Sequence, residues 1–181
     1  MKPWMALLTL SLTKCVVEQV AAGKAGLDQM IIQAAGAMGK EARALEPFDM
    51  ALRLFEDYGQ YEMLTFLSLF LQLEAFNPDD QHLTLVEAYF REEIRAIWEF
   101  SVLQSLAEPQ GMTEAQIVSE YARLEDILIG ARNTAWMERI LPAAVEGPVL
   151  VAAGALHMPG DLGLLALLEA EGFAVTRVAR D

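Results

Sequence analysis

The sequence predicts an α/β fold that is predominantly helical, with a small, mostly parallel sheet and a large helical insertion. The apolar run at 149–153 follows Gly147 and Pro148 and suits a strand buried on both faces of such a sheet. Residues 41–46 alternate polar and apolar side chains over a strand's length, and residues 173–178 alternate in the same way. Helical spacing dominates residues 48–140, which we interpret as an insertion between the first two strands.

Composition and charge limit the classes of function. The chain has 181 residues, of which 54% are hydrophobic and 22% charged, and this is enough for a single domain over residues 1–181. Its 26 acidic and 13 basic residues give a net charge of -13, which repels phosphate backbones and anionic membrane surfaces. Nucleic acid is therefore excluded as an expected partner. Cys15 is the only cysteine, so the chain has no intrachain disulfide and no cysteine-rich zinc site.

The amino-terminal stretch allows two interpretations. Lys2 and the apolar residues after it resemble a signal peptide, and Cys15 suggests a lipoprotein site. Lys14, directly before the cysteine, argues against that cleavage. We favour an amphipathic helix over residues 3–22 with Pro3 in its first turn. No apolar run reaches the roughly 18 residues that a membrane-spanning helix needs, so no transmembrane segment is expected.

Further helix starts are marked by capping residues. A second helix is expected to begin near Leu27, with Asp28 at the positive end of its dipole. Asn77 and Pro78 form a helix start, and Thr113 with Gln116 has the spacing of a capping box. The last helix before the central strand is expected at residues 131–141. The aromatic residues of the insertion are interpreted as core, with a ligand cage as the alternative; they are Phe66, Phe70, Phe76, Tyr89, Phe90, Trp98 and Phe100.

The candidate functional residues follow the central strand. His157 lies three residues after Gly154, in a loop that Pro159 and Gly160 continue, and ligands bind at this end of the strands in open α/β sheets. A loop histidine that only caps a helix or faces solvent is the alternative. Glu46 is expected at the same end of its own strand, so its carboxylate and the imidazole would lie at one edge of the sheet.

A resemblance to a known family rests on several stretches taken together. They are Ala131-Arg-Asn-Thr-Ala-Trp136, the run from Val149 to Gly160 with its Gly-x-x-His motif, Glu171-Gly-Phe-Ala-Val-Thr-Arg-Val178, and upstream Gly39-Lys-Glu-Ala-Arg-Ala-Leu-Glu46. In this order they resemble the TraB/GumN family, which is related to the Tiki metalloproteases. The chain looks like the middle and carboxyl-terminal part of such a domain, whose core is similar to haem-uptake and erythromycin-esterase-like proteins.

The resemblance implies a divalent-metal-dependent hydrolase of the peptidase type. The Tiki branch uses two Gly-x-x-His motifs with an acidic residue and an arginine, and here only the motif of His157 is present. His82 lacks the glycine and does not replace the absent ligand. The implied roles are His157 as a ligand of zinc, manganese or cobalt, Glu46 as ligand or general base, and Arg132 as a clamp on a peptide substrate. Asn133 would contact the substrate, or cap or orient a neighbour.

The missing motif leaves alternatives open. The chain is expected to be incomplete at its amino terminus, to be complete but degenerate, or to receive the missing ligands from a second copy in a homodimer. A non-catalytic module that binds a peptide or protein, and that oligomerises through its sheet edge or its helical block, is the other functional hypothesis. The compartment is open too: cytoplasmic as the chain stands, periplasmic or exported if it is a fragment of a typical family member.

Overall fold

A computed structural model of the chain describes residues 5–6, 14–50, 53, 78–107, 109 and 111–178. The chain divides into two compact units, Met1–Pro78 and Asp79–Asp181, and each is treated by itself below. The predicted helical spacing at residues 54–77 lies outside the described residues, and so do Phe66, Phe70 and Phe76.

The predicted sheet is wrong, because the described part of the chain contains helices and no strand. Residues 41–44, 148–154 and 173–178 run without helix or strand, and Leu150 is 80% exposed although we expected a strand buried on both faces. An apolar, alternating pattern favours an extended backbone, but a strand exists only when a second backbone accepts and donates its hydrogen bonds. These segments have the local pattern, and the structure supplies no such partner within the residues that it describes.

Two helices of the first unit lie wholly within the described residues. Helix α1 spans Lys14–Ala21 and helix α2 spans Leu27–Ala37. The predicted start at Leu27 is confirmed, and Asp28 lies in the first turn, where its charge favours the helix dipole. None of the residues described in this unit is buried, and Phe48 is 96% exposed.

The second unit is a series of helices joined by short connections. The helices are α3 (Pro78–Phe90), α4 (Ile94–Ala107), α5 (Glu114–Glu125), α6 (Ala131–Glu146) and α7 (Leu164–Ala170). A π-helical turn, Asp126–Gly130, joins α5 directly to α6, so the two form one continuous rod. A single 3₁₀ turn, Ala155–His157, lies between α6 and α7.

A capping box explains the start of α5. For α3, described from Pro78 onwards, the predicted cap Asn77 lies outside the described residues. The capping box before α5 is confirmed: Gln116 N donates to Thr113 Oγ1 at 3.3 Å, and Thr113 N donates to Gln116 Oε1 at 2.8 Å. Helix α6 runs past Pro142 to Glu146, further than the predicted end at residue 141. A proline removes one backbone donor, and here the helix tolerates that loss.

The core of the second unit lies along one face of α6. Asn133, Trp136, Met137 and Ile140 are buried at the i, i+3, i+4 and i+7 spacing of a single helix face. Ile117 of α5, Ile129 of the π turn and Leu164 at the start of α7 are the other buried large apolar side chains of the described residues. The segment that carries His157 lies between α6 and α7 in sequence, and its 3₁₀ turn also contacts α4. No helix within the described ranges is both long and apolar enough to cross a membrane.

Candidate functional site

The amide of Asn133 holds the histidine segment onto helix α6. Its side chain has no exposed surface. Nδ2 donates to the carbonyl oxygen of His157 at 3.1 Å and to that of Leu162 at 2.7 Å. Oδ1 lies 2.7 Å from Nδ1 of the His157 ring. One buried side chain therefore satisfies two backbone carbonyls and one ring nitrogen of the loop.

This arrangement determines which ring nitrogen of His157 carries the proton in the neutral state. Backbone carbonyls only accept hydrogen bonds, so the Asn133 atom that contacts two of them must be the NH₂ group. Oδ1 then faces the ring and can only accept, so Nδ1 of His157 is the donor. The neutral ring consequently has its lone pair on Nε2, the form that binds a metal ion or accepts a proton.

Trp136 fixes the plane of the imidazole. The two ring centroids are 4.4 Å apart with an angle of 31° between the planes, and both side chains are buried. The guanidinium carbon of Arg132 lies 5.1 Å from the centroid of the Trp136 ring, within the range of a cation–π interaction. Arg132 and Trp136 are four residues apart on α6, so the helix itself brings them together.

The π turn at the start of α6 engages neighbouring polar side chains. In a π helix the backbone bonds span five residues, so the carbonyls do not all meet the amide four residues on. Arg132 Nη1 donates to the carbonyl of Leu128 at 2.9 Å, and Thr134 Oγ1 donates to that of Gly130 at 2.9 Å. Both bonds link residues four apart. Arg132 thus stabilises the turn that precedes the site.

Two glycines, Gly160 and Gly163, allow the loop after His157 to turn tightly. Gly160 has a φ of +85°, which side chains disfavour. A Cβ at Gly163 would lie 2.3 Å from the carbonyl oxygen of Met158 and 2.4 Å from that of Pro159, so only glycine fits there. Gly154, by contrast, has a φ of -56°, and an added Cβ would meet His157 Cδ2 at an ordinary 3.7 Å. The conformation of Gly154 does not by itself demand a glycine.

Arg95 of α4 ties the same loop to two helices. Its Nε donates to Glu99 at 3.1 Å, and its Nη1 pairs with Glu125 at the end of α5. An added Cβ on Gly160 would lie 3.2 Å from that Nη1 atom, so the guanidinium lies against the loop. The hydrogen bond that Arg95 donates to Glu125 raises the pKa of Arg95 above its ordinary value, while partial burial acts in the opposite direction.

The structure brings some of the predicted site residues together. Asn133 contacts His157 directly, and Arg132 reaches it through Trp136. Glu46 lies in a bend of the first unit and is half-buried, whereas His157 belongs to the second unit. A meeting of Glu46 with His157 stays a prediction, as do the substrate contacts of Arg132 and Asn133. Gly154 and Gly160 flank the histidine turn on either side.

Of the side chains described around His157, the imidazole itself is the one suited to bind a metal ion. His157 Nε2 has the required lone pair in the neutral tautomer that Asn133 selects. Within the described ranges, no group of three or more His, Cys, Asp and Glu side chains is placed to hold a metal ion. A catalytic metal normally has three protein ligands and one open position. A metal ion at His157 would therefore need further ligands.

Sequence reasoning missed three contributors to this geometry. Arg95 lies far from His157 in sequence, and an Arg-x-x-x-Glu spacing on a helix usually indicates an exposed ion pair. Gly163 was not singled out. Trp136 was not connected with His157, and the structure shows that it packs on the imidazole. Only Gly163 carried a usable signal, because a second glycine soon after Gly160 indicates a tightly wound loop.

The first prediction concerns the buried amide. Asn133→Leu leaves two carbonyls and the Nδ1–H of His157 without their partner, so we expect a loss of roughly 3 kcal/mol in the free energy of unfolding. The measurement is urea unfolding followed by circular dichroism. Thr134→Ala is the matched control, since it removes one hydrogen bond on the same helix and should cost about 1 kcal/mol. Equal losses in the two variants would show that the amide has no special role.

The second prediction concerns Arg95. Arg95→Gln removes the charged bonds to Glu99 and Glu125, and we expect a loss of about 1–2 kcal/mol, since a third of the arginine is exposed to screening solvent. Arg91→Gln is the control, because its pair with Glu87 spans 3.5 Å between exposed side chains and should change stability by less than about 0.5 kcal/mol. Urea unfolding of both variants gives the two losses in the free energy of unfolding. Equal losses in Arg95→Gln and Arg91→Gln would contradict a stabilising role of Arg95.

Comparison with known proteins agrees with the resemblance seen in the motifs. Neither a curated protein nor a solved structure matches the chain. The sequence model of one family, described as the TraB/PrgY/gumN family, matches residues 1–177. The match covers both the Gly-x-x-His segment and the Arg132–Asn133 pair of α6. The chain therefore belongs to the TraB/PrgY/gumN family.

Proposed function

We propose that the chain carries part of a divalent-metal-dependent hydrolase site of the peptidase type, in which His157 is a metal ligand through Nε2. One observation supports this most strongly. Asn133 accepts from Nδ1 and is itself held in orientation by two backbone carbonyls, so the ring presents Nε2 as its lone-pair nitrogen. Ligand histidines commonly use such a partner on their other nitrogen. The geometry alone supports a metal ligand, and the resemblance to the metal-dependent branch of the family is the reason for proposing a hydrolase.

The other proposed roles belong to Glu46 and Arg132. A carboxylate such as Glu46 would serve as a second ligand or as the general base that takes a proton from the attacking water. Arg132 would hold a substrate carboxylate or a developing oxyanion, since a guanidinium offers two parallel donors. A bound zinc, manganese or cobalt ion would supply Lewis-acid polarisation of the substrate carbonyl.

A second copy of the chain is one source of the missing ligands. In a symmetric dimer the same surface of each protomer faces its equivalent, so ligands from two copies can complete a site that one copy begins. The homodimer proposed here would therefore serve the chemistry as well as stability. It makes metal binding depend on protein concentration, because the ligands assemble only in the dimer.

A non-catalytic module that binds a peptide or protein is the second candidate. It is favoured by apolar residues that the first unit exposes, including Val20 at 69%, Leu27 at 61% and Met38 at 73%. Exposed apolar groups of this size on neighbouring helices are typical of surfaces that a partner covers. This candidate needs no metal, and that separates it from the first by experiment.

The third prediction tests the metal ligand. Protein purified without chelators should contain about one equivalent of zinc, manganese or cobalt by elemental mass spectrometry, and His157→Ala should lose it because Nε2 is the proposed ligand atom. His82→Ala is the matched control and should keep the metal, since His82 is the only other histidine. A second readout is quenching of Trp136 fluorescence by Co²⁺, which His157→Ala should abolish because the rings are 4.4 Å apart.

Two outcomes would contradict the metal proposal. Equal metal content in the parent protein and in His157→Ala would place any ion elsewhere in the molecule. No metal in either protein, with no quenching by added Co²⁺, would favour the non-catalytic binding module. Circular dichroism of His157→Ala shows whether the variant is folded, so that lost binding is not mistaken for lost structure.

A further inference from the structure

The second unit contains an apolar cavity that the hydrolase proposal does not use. Its volume is about 560 Å³, a size typical of small-molecule sites. It lies between α3, α4 and the turn that carries His157. The lining residues are Leu85, Val86, Tyr89, Phe90, Ile94, Ile97, Trp98, Ser101, Gly154, Ala155 and Leu156.

The lining determines the chemistry of a ligand. None of the lining residues within the described part of the chain carries a charge. The hydroxyl of Ser101 donates to the carbonyl of Ile97 at 3.0 Å, so it is engaged within its own helix. A charged ligand group buried here would lose its hydration without gaining an ion pair, which is costly. The net charge of -13 adds a general repulsion of anions. The cavity therefore favours an uncharged ligand.

The inner wall of the cavity is held in place by polar contacts behind it. Tyr121 of α5 donates to the carbonyl of Ser101 at 3.1 Å, and its hydroxyl lies 2.9 Å from Ser105 Oγ. The Tyr121 ring also packs edge to face on Trp98, with centroids 5.8 Å apart. These contacts fix α4 against α5. A wall that is fixed in advance lowers the entropy cost of binding.

The outer wall is apolar and exposed. Leu85, Tyr89 and Phe90 of α3 are 44%, 42% and 64% exposed, although we interpreted the aromatic residues of this block as core. The prediction that Tyr89 and Phe90 belong to the core is therefore wrong. A hydrocarbon in the cavity would remove their apolar surface from water, and each Å² so covered contributes about 25 cal/mol.

We propose that this cavity binds an uncharged, hydrocarbon-rich small molecule, of the class of long-chain alcohols and the alkyl chains of neutral lipids. The ligand would lie against Gly154, Ala155 and Leu156, the residues directly before His157. The imidazole itself is held by Asn133 and Trp136 of α6, which are not among the lining residues. The proposal is independent of any metal, because none of the lining residues is a proposed ligand.

The fourth prediction compares two ligands that differ in charge. Decan-1-ol and decanoate share a ten-carbon chain, and each is titrated into the full-length protein while tryptophan fluorescence and heat are recorded. We expect decan-1-ol to bind at least ten times more tightly than decanoate, because the lining offers no cation to the carboxylate. Trp98 lines the cavity and should report occupancy. Equal or tighter binding of decanoate, or no binding of either, would overturn the proposal.

Two variants on helix α3 test whether decan-1-ol binds in this cavity. Leu85→Glu puts a carboxylate in the lining and should weaken binding of decan-1-ol at least tenfold, whereas Leu83→Glu should leave it unchanged. Both leucines are on α3 and exposed, Leu83 at 60%, so both variants should fold, and circular dichroism checks this. Equal effects of the two would contradict the assignment. A different result would also contradict it. If light scattering shows a dimer that Leu85→Glu dissociates, and decan-1-ol does not bind, the occupant of the cavity is a second copy of the chain.

Discussion

The structure around His157 depends on one buried amide. Asn133 has no exposed surface, and its amide connects the carbonyls of His157 and Leu162 with the imidazole. Burying an amide without partners costs several kcal/mol, so this side chain requires the loop to come to it. In return, the loop obtains a partner for the buried carbonyl of His157 and for the partly buried carbonyl of Leu162. Because the two carbonyls fix the amide's orientation, they also fix the tautomer of the ring. Backbone structure and site chemistry are thus linked through a single residue.

Several other features serve the same contact. The π turn leads directly into α6, on which Asn133 and Trp136 lie on one buried face. Arg132 and Thr134 both donate to carbonyls of that turn. Gly160 and Gly163 allow the chain to turn within a few residues, and the Arg95–Glu125 pair lies against the turn from α4 and α5. π turns occur frequently near functional sites, and here one precedes the residues that orient the histidine. In this chain of the TraB/PrgY/gumN family the neutral ring of His157 therefore has its lone pair on Nε2, and metal binding by that atom stays a proposal.

Sequence reasoning found the local features and missed the non-local ones. The capping box at Thr113 and the helix start at Leu27 follow from short-range rules, and the structure contains both. Asn133 was also expected to orient a neighbour, because the asparagine stood out in the family motif. The sheet was wrong, since neither the alternation at residues 41–46 and 173–178 nor the apolar run at residues 149–153 says anything about a pairing partner. Arg95 could not be found, because its contact with the loop arises from the packing of α4 against distant residues.

The tautomer of His157 is the central claim, and NMR measures it directly. Long-range ¹⁵N–¹H correlation of the imidazole assigns each ring nitrogen as protonated or unprotonated from its chemical shift. For the neutral ring we expect a protonated Nδ1 and an unprotonated Nε2, because Asn133 Oδ1 accepts from Nδ1. His82→Ala identifies the signals, since His157 is then the only histidine. A protonated Nε2 with an unprotonated Nδ1 would contradict the account, because the nitrogen proposed to bind a metal would then be a donor.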